Sequence, residues 1–301
     1  MKKTLAILLS ALLCLSLFAA CGEEPAEESD VPSEEPSATE PAESEEPVEE
    51  PAEEISGNVT LNGSTSMESV ILALIEGFAE VQPDVNPQYT GSGSGAGIEG
   101  VLGGTCDLGL ASRALSDEEK AQGAVENIIA LDGVAVVINP ENTVTDLTTE
   151  QIAAIFKGEI TNWSEVGGPD GAIAVFGREA GSGTRGAFEE ILGIEDACAY
   201  TNEYSSTGDV IGNVASNPNA IGYASLSAVN DSVVAVAVNG VTPSEETVAD
   251  GSFAIQRPFV VVTVEGTELS PAAQAFLDYA MSADVADIIT AAGAVPASLA
   301  K

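Results

Sequence analysis

Apolar and polar positions change in regular blocks along this chain. Asn58-Val59-Thr60-Leu61-Asn62 reads as a short strand. After Gly63-Ser64-Thr65-Ser66, the apolar residues Val70, Ile71, Leu74, Ile75 and Phe78 recur at helical spacing between Met67 and Val81, and Pro83 ends the pattern. Gln88 to Thr90 is a second strand, followed by a glycine–serine turn (residues 91–97) and a helix through Ile98, Val101 and Leu102. Asp107 to Ala111 is a third strand, ending in Ser112-Arg113. A near-continuous apolar run, Val134 to Ile138, is a buried strand, and Thr148 to Phe156 a helix. Ala172 to Phe176 and Ile221 to Ala224 read as buried strands. Helices follow through Phe188, Ile191 and Leu192, and through Val210 and Val214. Pro258 to Val264 is a last long strand, before helices over Ser270–Met281 and Ala283–Ala292. Strands alternating with helices argue for parallel α/β sheets.

The chemistry sits in the turns between these blocks. Gly177-Arg178-Glu179-Ala180-Gly181-Ser182-Gly183-Thr184-Arg185 joins a buried strand to a helix. A glycine-rich helix start leaves backbone N–H groups free where the helix dipole already favours negative charge. Ser182 and Thr184 add hydroxyls beside Gly183, and Arg178 adds a planar fork suited to a tetrahedral oxyanion. The hydroxyls of Ser64, Thr65 and Ser66 fall at an N-cap, which needs only one of them; capping and ligand binding both remain open there. Gly91, Gly93 and Ala96 formally give G-x-G-x-x-A, a weak dinucleotide signal here because the helix is short and no acid is clearly placed to hold a ribose. Ser112-Arg113 ends a strand, where open α/β sheets bind ligands; a surface arginine fits that position equally. Trp163, the single tryptophan, reads as packed against its own domain.

At 301 residues the chain is long enough for two domains. Its formal net charge of −39 makes nucleic acid and anionic membrane surfaces poor partners for the body. There is no histidine, which excludes Ser-His-Asp and Cys-His catalysis. Cysteines 14, 21, 106 and 198 show no CxxC spacing, so neither a zinc site nor a disulfide framework is indicated.

Met1-Lys2-Lys3, an apolar stretch from Leu5 to Ala20 and then Cys21 resemble a bacterial lipoprotein signal. In such a signal the cysteine is lipidated (a palmitate-type anchor) and becomes the new N-terminus. Phe18 stands where leucine is more usual, and an ordinary secretory signal is the alternative. Residues 22–55 hold 15 acids and no base, so they are expected to form a disordered, self-repelling tether. The body beyond carries 33 acids against 7 bases, a formal net charge of −26.

From about residue 57 to 298, the ordered motifs resemble the PstS family, the phosphate-binding components of Pst-type ABC transporters. They are G-S-T at 63–65, G-S-G-S-G-A-G at 91–97, I-T-N-W-S-E-V-G-G at 160–168, G-R-E-A-G-S-G-T-R at 177–185, A-I-G-Y at 220–223 and R-P-F at 257–259. The resemblance implies an α/β, two-lobed type II periplasmic-binding-protein fold with the ligand in the interlobe cleft. The implied division is a signal peptide at 1–20, the tether at 21–55, one lobe from 56–133 with 258–301, and the other from 134–257. Hinges are expected near 131–136 and 255–260. Carried over by position, the implied phosphate-binding set is Thr65, Ser66, Ser94, Ser112, Arg113, Arg178, Ser182, Gly183 and Thr184. Some members have an aspartate where Ser112 stands, so rejection of sulfate must come from elsewhere. The resemblance further implies a monomeric, non-enzymatic protein held by lipid on the extracytoplasmic face of a Gram-positive-type cell membrane. It would deliver inorganic phosphate to permease subunits and their ATPase, with no cofactor and no metal. Another tetrahedral oxyanion, sulfate or molybdate, and a phosphohydrolase are the alternatives. Cys106 and Cys198 fall in different lobes, so both are expected to be free thiols.

Overall fold

The computed structural model describes residues 55–299. The signal segment, Cys21 and the tether up to residue 54 lie outside the described residues, all of which belong to one compact unit, Ala52–Lys301.

In chain order the first elements are β1 (Gly57–Gly63), α1 (Glu68–Val81), β2 (Val85–Gly91), α2 (Ser94–Leu102), β3 (Leu108–Ala111), α3 (Asp117–Ala121) and the 15-residue β4 (Ala124–Ile138). Then come β5 (Asp146–Leu147), α4 (Thr149–Phe156), β6 (Ala174–Arg178), α5 (Gly183–Leu192), β7 (Asn202–Tyr204), α6 (Thr207–Ala215) and β8 (Ala220–Ser225). The chain closes with β9 (Val234–Ala235), β10 (Ala237–Val238), α7 (Glu245–Ala249), β11 (Gln256–Val264), α8 (Pro271–Met281), α9 (Ala286–Ala291) and β12 (Val295–Pro296).

The main strands form one curled sheet in the order β2-β1-β3-β11-β4-β8-β6-β7. At its two ends pairing is parallel, β1 with β2 and β3, and β6 with β7 and β8. In the middle it is antiparallel, where β11 lies between β3 and β4, and β4 pairs β8. The expectation of parallel sheets therefore holds at the two ends of the sheet and fails in its middle, where β11 and β4 run against their neighbours. One long strand leaves the first lobe and another returns to it, and apolar periodicity carries no sign of strand direction. Strand β4 pairs with β11 as far as Gly133 and with β8 from Val134 onward, so it changes partners within one residue.

Side-chain alternation explains why the second half of β4 is apolar throughout. Val134, Val136 and Ile138 pack with Ile152, Phe156, Trp163 and Phe188 on one face. Ala135 and Val137 pack with Val210, Ile211 and Val214 on the other. The first lobe is layered in the same way. Met67, Leu74, Phe78 and Phe276 pack over Val59, Leu61, Leu108 and Leu110, while Ile98 and Val101 cover Ala111, Val260 and Val262. Trp163 is fully buried and its Nε1 donates to Asn219 O at 3.0 Å. Cys106 and Cys198 are both free.

Candidate functional site

Every strand of the two parallel groups that faces the cleft ends in a turn bearing hydroxyls. Thr65 and Ser66 follow β1, Ser94 follows β2, Ser112 follows β3, Ser182 to Thr184 follow β6, and Thr207 follows β7. The carboxyl ends of parallel strands are where open α/β sheets take ligands, and each turn except that of Ser112 also starts a helix.

After β1 the capping role goes to Ser64, whose side chain accepts from Ser66 N at 3.2 Å. That releases Thr65 and Ser66 toward the opposite lobe. Ser66 Oγ lies 2.6 Å from Thr184 Oγ1 and 2.9 Å from Thr207 Oγ1, and Thr65 Oγ1 lies 3.3 Å from Thr207 Oγ1. Beside them Ser94 Oγ is 3.4 Å from Ser112 Oγ and accepts from Ser112 N at 3.1 Å. Gly95 N donates across the cleft to Gly181 O at 3.0 Å. Ser66, Ser94, Ser112, Thr184 and Thr207 are all buried, so the lobes are closed over this cluster. Gly183 is required by the approach itself. A Cβ there would fall inside the Ser94 hydroxyl and 3.0 Å from Ser112 Oγ.

Arg178, at the end of β6, is 1% exposed. Its Nη1 donates to Thr207 Oγ1 at 3.1 Å. Nε and Nη2 fork onto Glu179 at 3.2 and 2.8 Å and also reach the carbonyls of Tyr204 and Ser205. Side chains hold its backbone as well. Arg178 N donates to Tyr223 Oη at 3.0 Å, and Arg185 Nη1 donates to Arg178 O at 3.0 Å. Tyr200 Oη lies 3.2 Å from Tyr223 Oη and donates to Glu189 Oε1 at 2.8 Å, which also accepts Arg185 Nε. Burial pushes both tyrosine hydroxyls above their ordinary range, so they stay neutral. Arg185 thus supports the clamp without entering the cluster.

The structure brings Thr65, Ser66, Ser94, Ser112, Arg178, Gly183 and Thr184 together. Ser182 N-caps α5, its side chain accepting from Arg185 N at 3.4 Å. Arg113 turns away, donating to Glu119 through Nη1 and Nη2 at 2.8 and 2.7 Å and to Ala114 O. That hydrogen bonding holds the Glu119 carboxyl below its usual range.

Sequence reasoning missed three participants. Thr207 ends a run of three hydroxyl residues, Ser205-Ser206-Thr207, much as Ser64-Thr65-Ser66 is one, and was legible as a helix start, though not as a neighbour of Ser66. Asp132 carried no motif, and the R-P-F motif at Arg257 gave no sign of its partner. They form a fully buried ion pair, with Nε and Nη2 donating to Oδ2 at 3.1 and 2.9 Å. Burial pushes the aspartic acid up and the arginine down. Among the described residues no cluster of His, Cys, Asp or Glu could hold a metal ion.

A model of the PBP superfamily domain matches residues 47–284. The phosphate-binding protein PstS of Bacillus subtilis (strain 168) is 34% identical over 243 residues, 78% of this chain and 79% of that one. A protein of Clostridium perfringens described as a phosphate ABC transporter substrate-binding protein, solved with bound phosphate, is 40% identical. It superposes with a TM-score of 0.77 over 80% of this chain and 99% of that one. An ABC-type phosphate transport receptor of Vibrio cholerae is 31% identical, with a TM-score of 0.66 over 80% of this chain and 100% of that one. The hydroxyl-lined cleft, the two-lobed α/β fold and these relationships agree, and the chain belongs to the PstS family within the periplasmic-binding-protein superfamily.

Proposed function

We propose that this chain is an extracytoplasmic solute-binding lipoprotein that captures inorganic phosphate between its lobes and delivers it to an ABC permease and its ATPase. The observation that carries the reading is the buried meeting of Ser66, Thr184 and Thr207 hydroxyls with Arg178 between the ends of parallel strands from both lobes. Thr65, Ser66, Ser94, Ser112, Arg178, Ser182, Gly183 and Thr184 are the proposed contacts. Arg113 stands outside this set because its guanidinium is committed to Glu119. Binding would draw the lobes together about the strands β4 and β11. The chain acts as a monomer, anchored through lipid on Cys21, with residues 21–55 as a spacer; the proposed lobes are 56–133 with 258–301, and 134–257. Replacing Cys21 with serine would release the protein into the medium.

A site for another tetrahedral oxyanion is the second reading, and the observation favouring it is Ser112. A hydroxyl can donate to a fully ionised sulfate, which a carboxylate repels. Isothermal titration of the full chain with phosphate, arsenate, sulfate and molybdate separates the two. Phosphate and arsenate should bind tightly and sulfate weakly; equal affinity for sulfate and phosphate sinks the first reading.

A further inference from the structure

The buried Asp132–Arg257 pair belongs to neither the core nor the anion contacts. It sits where β4 stops pairing with β11 and begins pairing with β8, and the two residues are register partners across β4 and β11. Each end of the pair is tied to a different lobe. Asp132 Oδ1 accepts from Ser225 Oγ of β8 at 2.8 Å. Arg257 Nη1, the part of the fork not used on Asp132, donates to Ser112 O beyond β3 at 3.1 Å. Ser112 in turn donates from its amide to Ser94 Oγ, the hydroxyl that Gly183 of the other lobe meets. A continuous hydrogen-bonded path therefore runs from β8, through the pair, to the anion cluster.

Stability alone does not account for the pair. Two charges taken out of water lose hydration that their mutual attraction rarely recovers in full, and well-packed apolar residues of similar volume serve a core equally well or better. What apolar residues cannot do is fix two hydroxyl-bearing segments at once. Rotating one lobe about the β4 handover must bend either the Ser225–Asp132 bond or the Arg257–Ser112 bond. The closed arrangement and the placing of Ser112 and Ser94 are thereby one event.

We propose that Asp132 and Arg257 are positioning residues that set Ser112 and Ser94 for the anion and couple their placement to lobe closure. This rests on the phosphate reading. The test is the paired replacement Asp132→Leu with Arg257→Met in the full chain, compared with the unaltered chain by calorimetric titration with phosphate and by thermal unfolding. The expected result is an unfolding midpoint at or above that of the unaltered chain, with phosphate affinity lowered about tenfold or more, the size usual for a coupling between sites. Affinity within twofold of the unaltered chain overturns the proposal. Arg257→Lys keeps the charge but lacks the fork and guards against a paired variant that fails to fold. It should bind phosphate several-fold more weakly, and unchanged affinity again overturns the proposal. An unaltered chain that binds no oxyanion defeats the functional reading, and this inference with it.

Discussion

At the scale of single residues, the cleft depends on atoms that are absent as much as on those present. Gly183 lets Ser94 and Ser112 of the other lobe approach α5 directly. Gly183→Ala should leave each lobe folded and hold the cleft ajar, so that phosphate titration shows affinity lost while the thermal midpoint moves little. Arg113 makes the opposite kind of prediction. Its fork lowers the Glu119 carboxyl pKa, so this pair adds stability above the ordinary glutamate range and loses it as pH falls through the lowered value. Both side chains are partly exposed, so Arg113→Met should cost only about 0.2–1 kcal/mol at neutral pH. The cost should shrink toward zero on acidification, as urea titrations at several pH values would show. Phosphate affinity should be unchanged. The hydroxyls of residues 65, 66, 94 and 184 were legible in the sequence because glycine–hydroxyl turns before helices carry a local signature. The pairing of Asp132 with Arg257 was not, since 125 positions separate them and the motif at Arg257 says nothing of its partner.

At the scale of elements, the helix starts do double work. Ser64, Ser182 and Ser206 cap, and their neighbours Ser66, Thr184 and Thr207 face the cleft. Ser206 accepts from Asp209 N at 3.0 Å. Ser206→Ala should lower stability by about 0.5–2 kcal/mol, measured by chemical denaturation, and should weaken phosphate binding as the turn holding Thr207 loosens. Long periodic helices such as α1 and α8 were read from sequence to within about a residue. The short α3 and the two-residue strands β5, β9 and β10 were not, because so few positions show no period. The length of β4 was also missed. Its first half is only part-buried, with Val125 and Ile128 exposed, and only its second half reads as a continuous apolar run.

For the whole molecule, charge works against the ligand. The body carries a formal net charge of −26, so an approaching anion is repelled until it lies within a Debye length, about 8 Å at physiological ionic strength, of the hydroxyl cluster. Affinity must come from local donors, and long-range steering runs with the unfavourable sign. Stopped-flow binding should therefore show phosphate association speeding up as inert salt rises from low to physiological strength. A rate that falls with salt would mean that a basic path guides the anion.

The shared strand β4 has one more consequence. Its first half completes the sheet of one lobe and its second half that of the other, and β11 lies beside it. Neither lobe is a closed piece of architecture without a strand that the other also uses. The molecule is divided where it moves and undivided where it folds: two jaws cut from a single cooperative unit, in which loss of either jaw removes the spine of its neighbour.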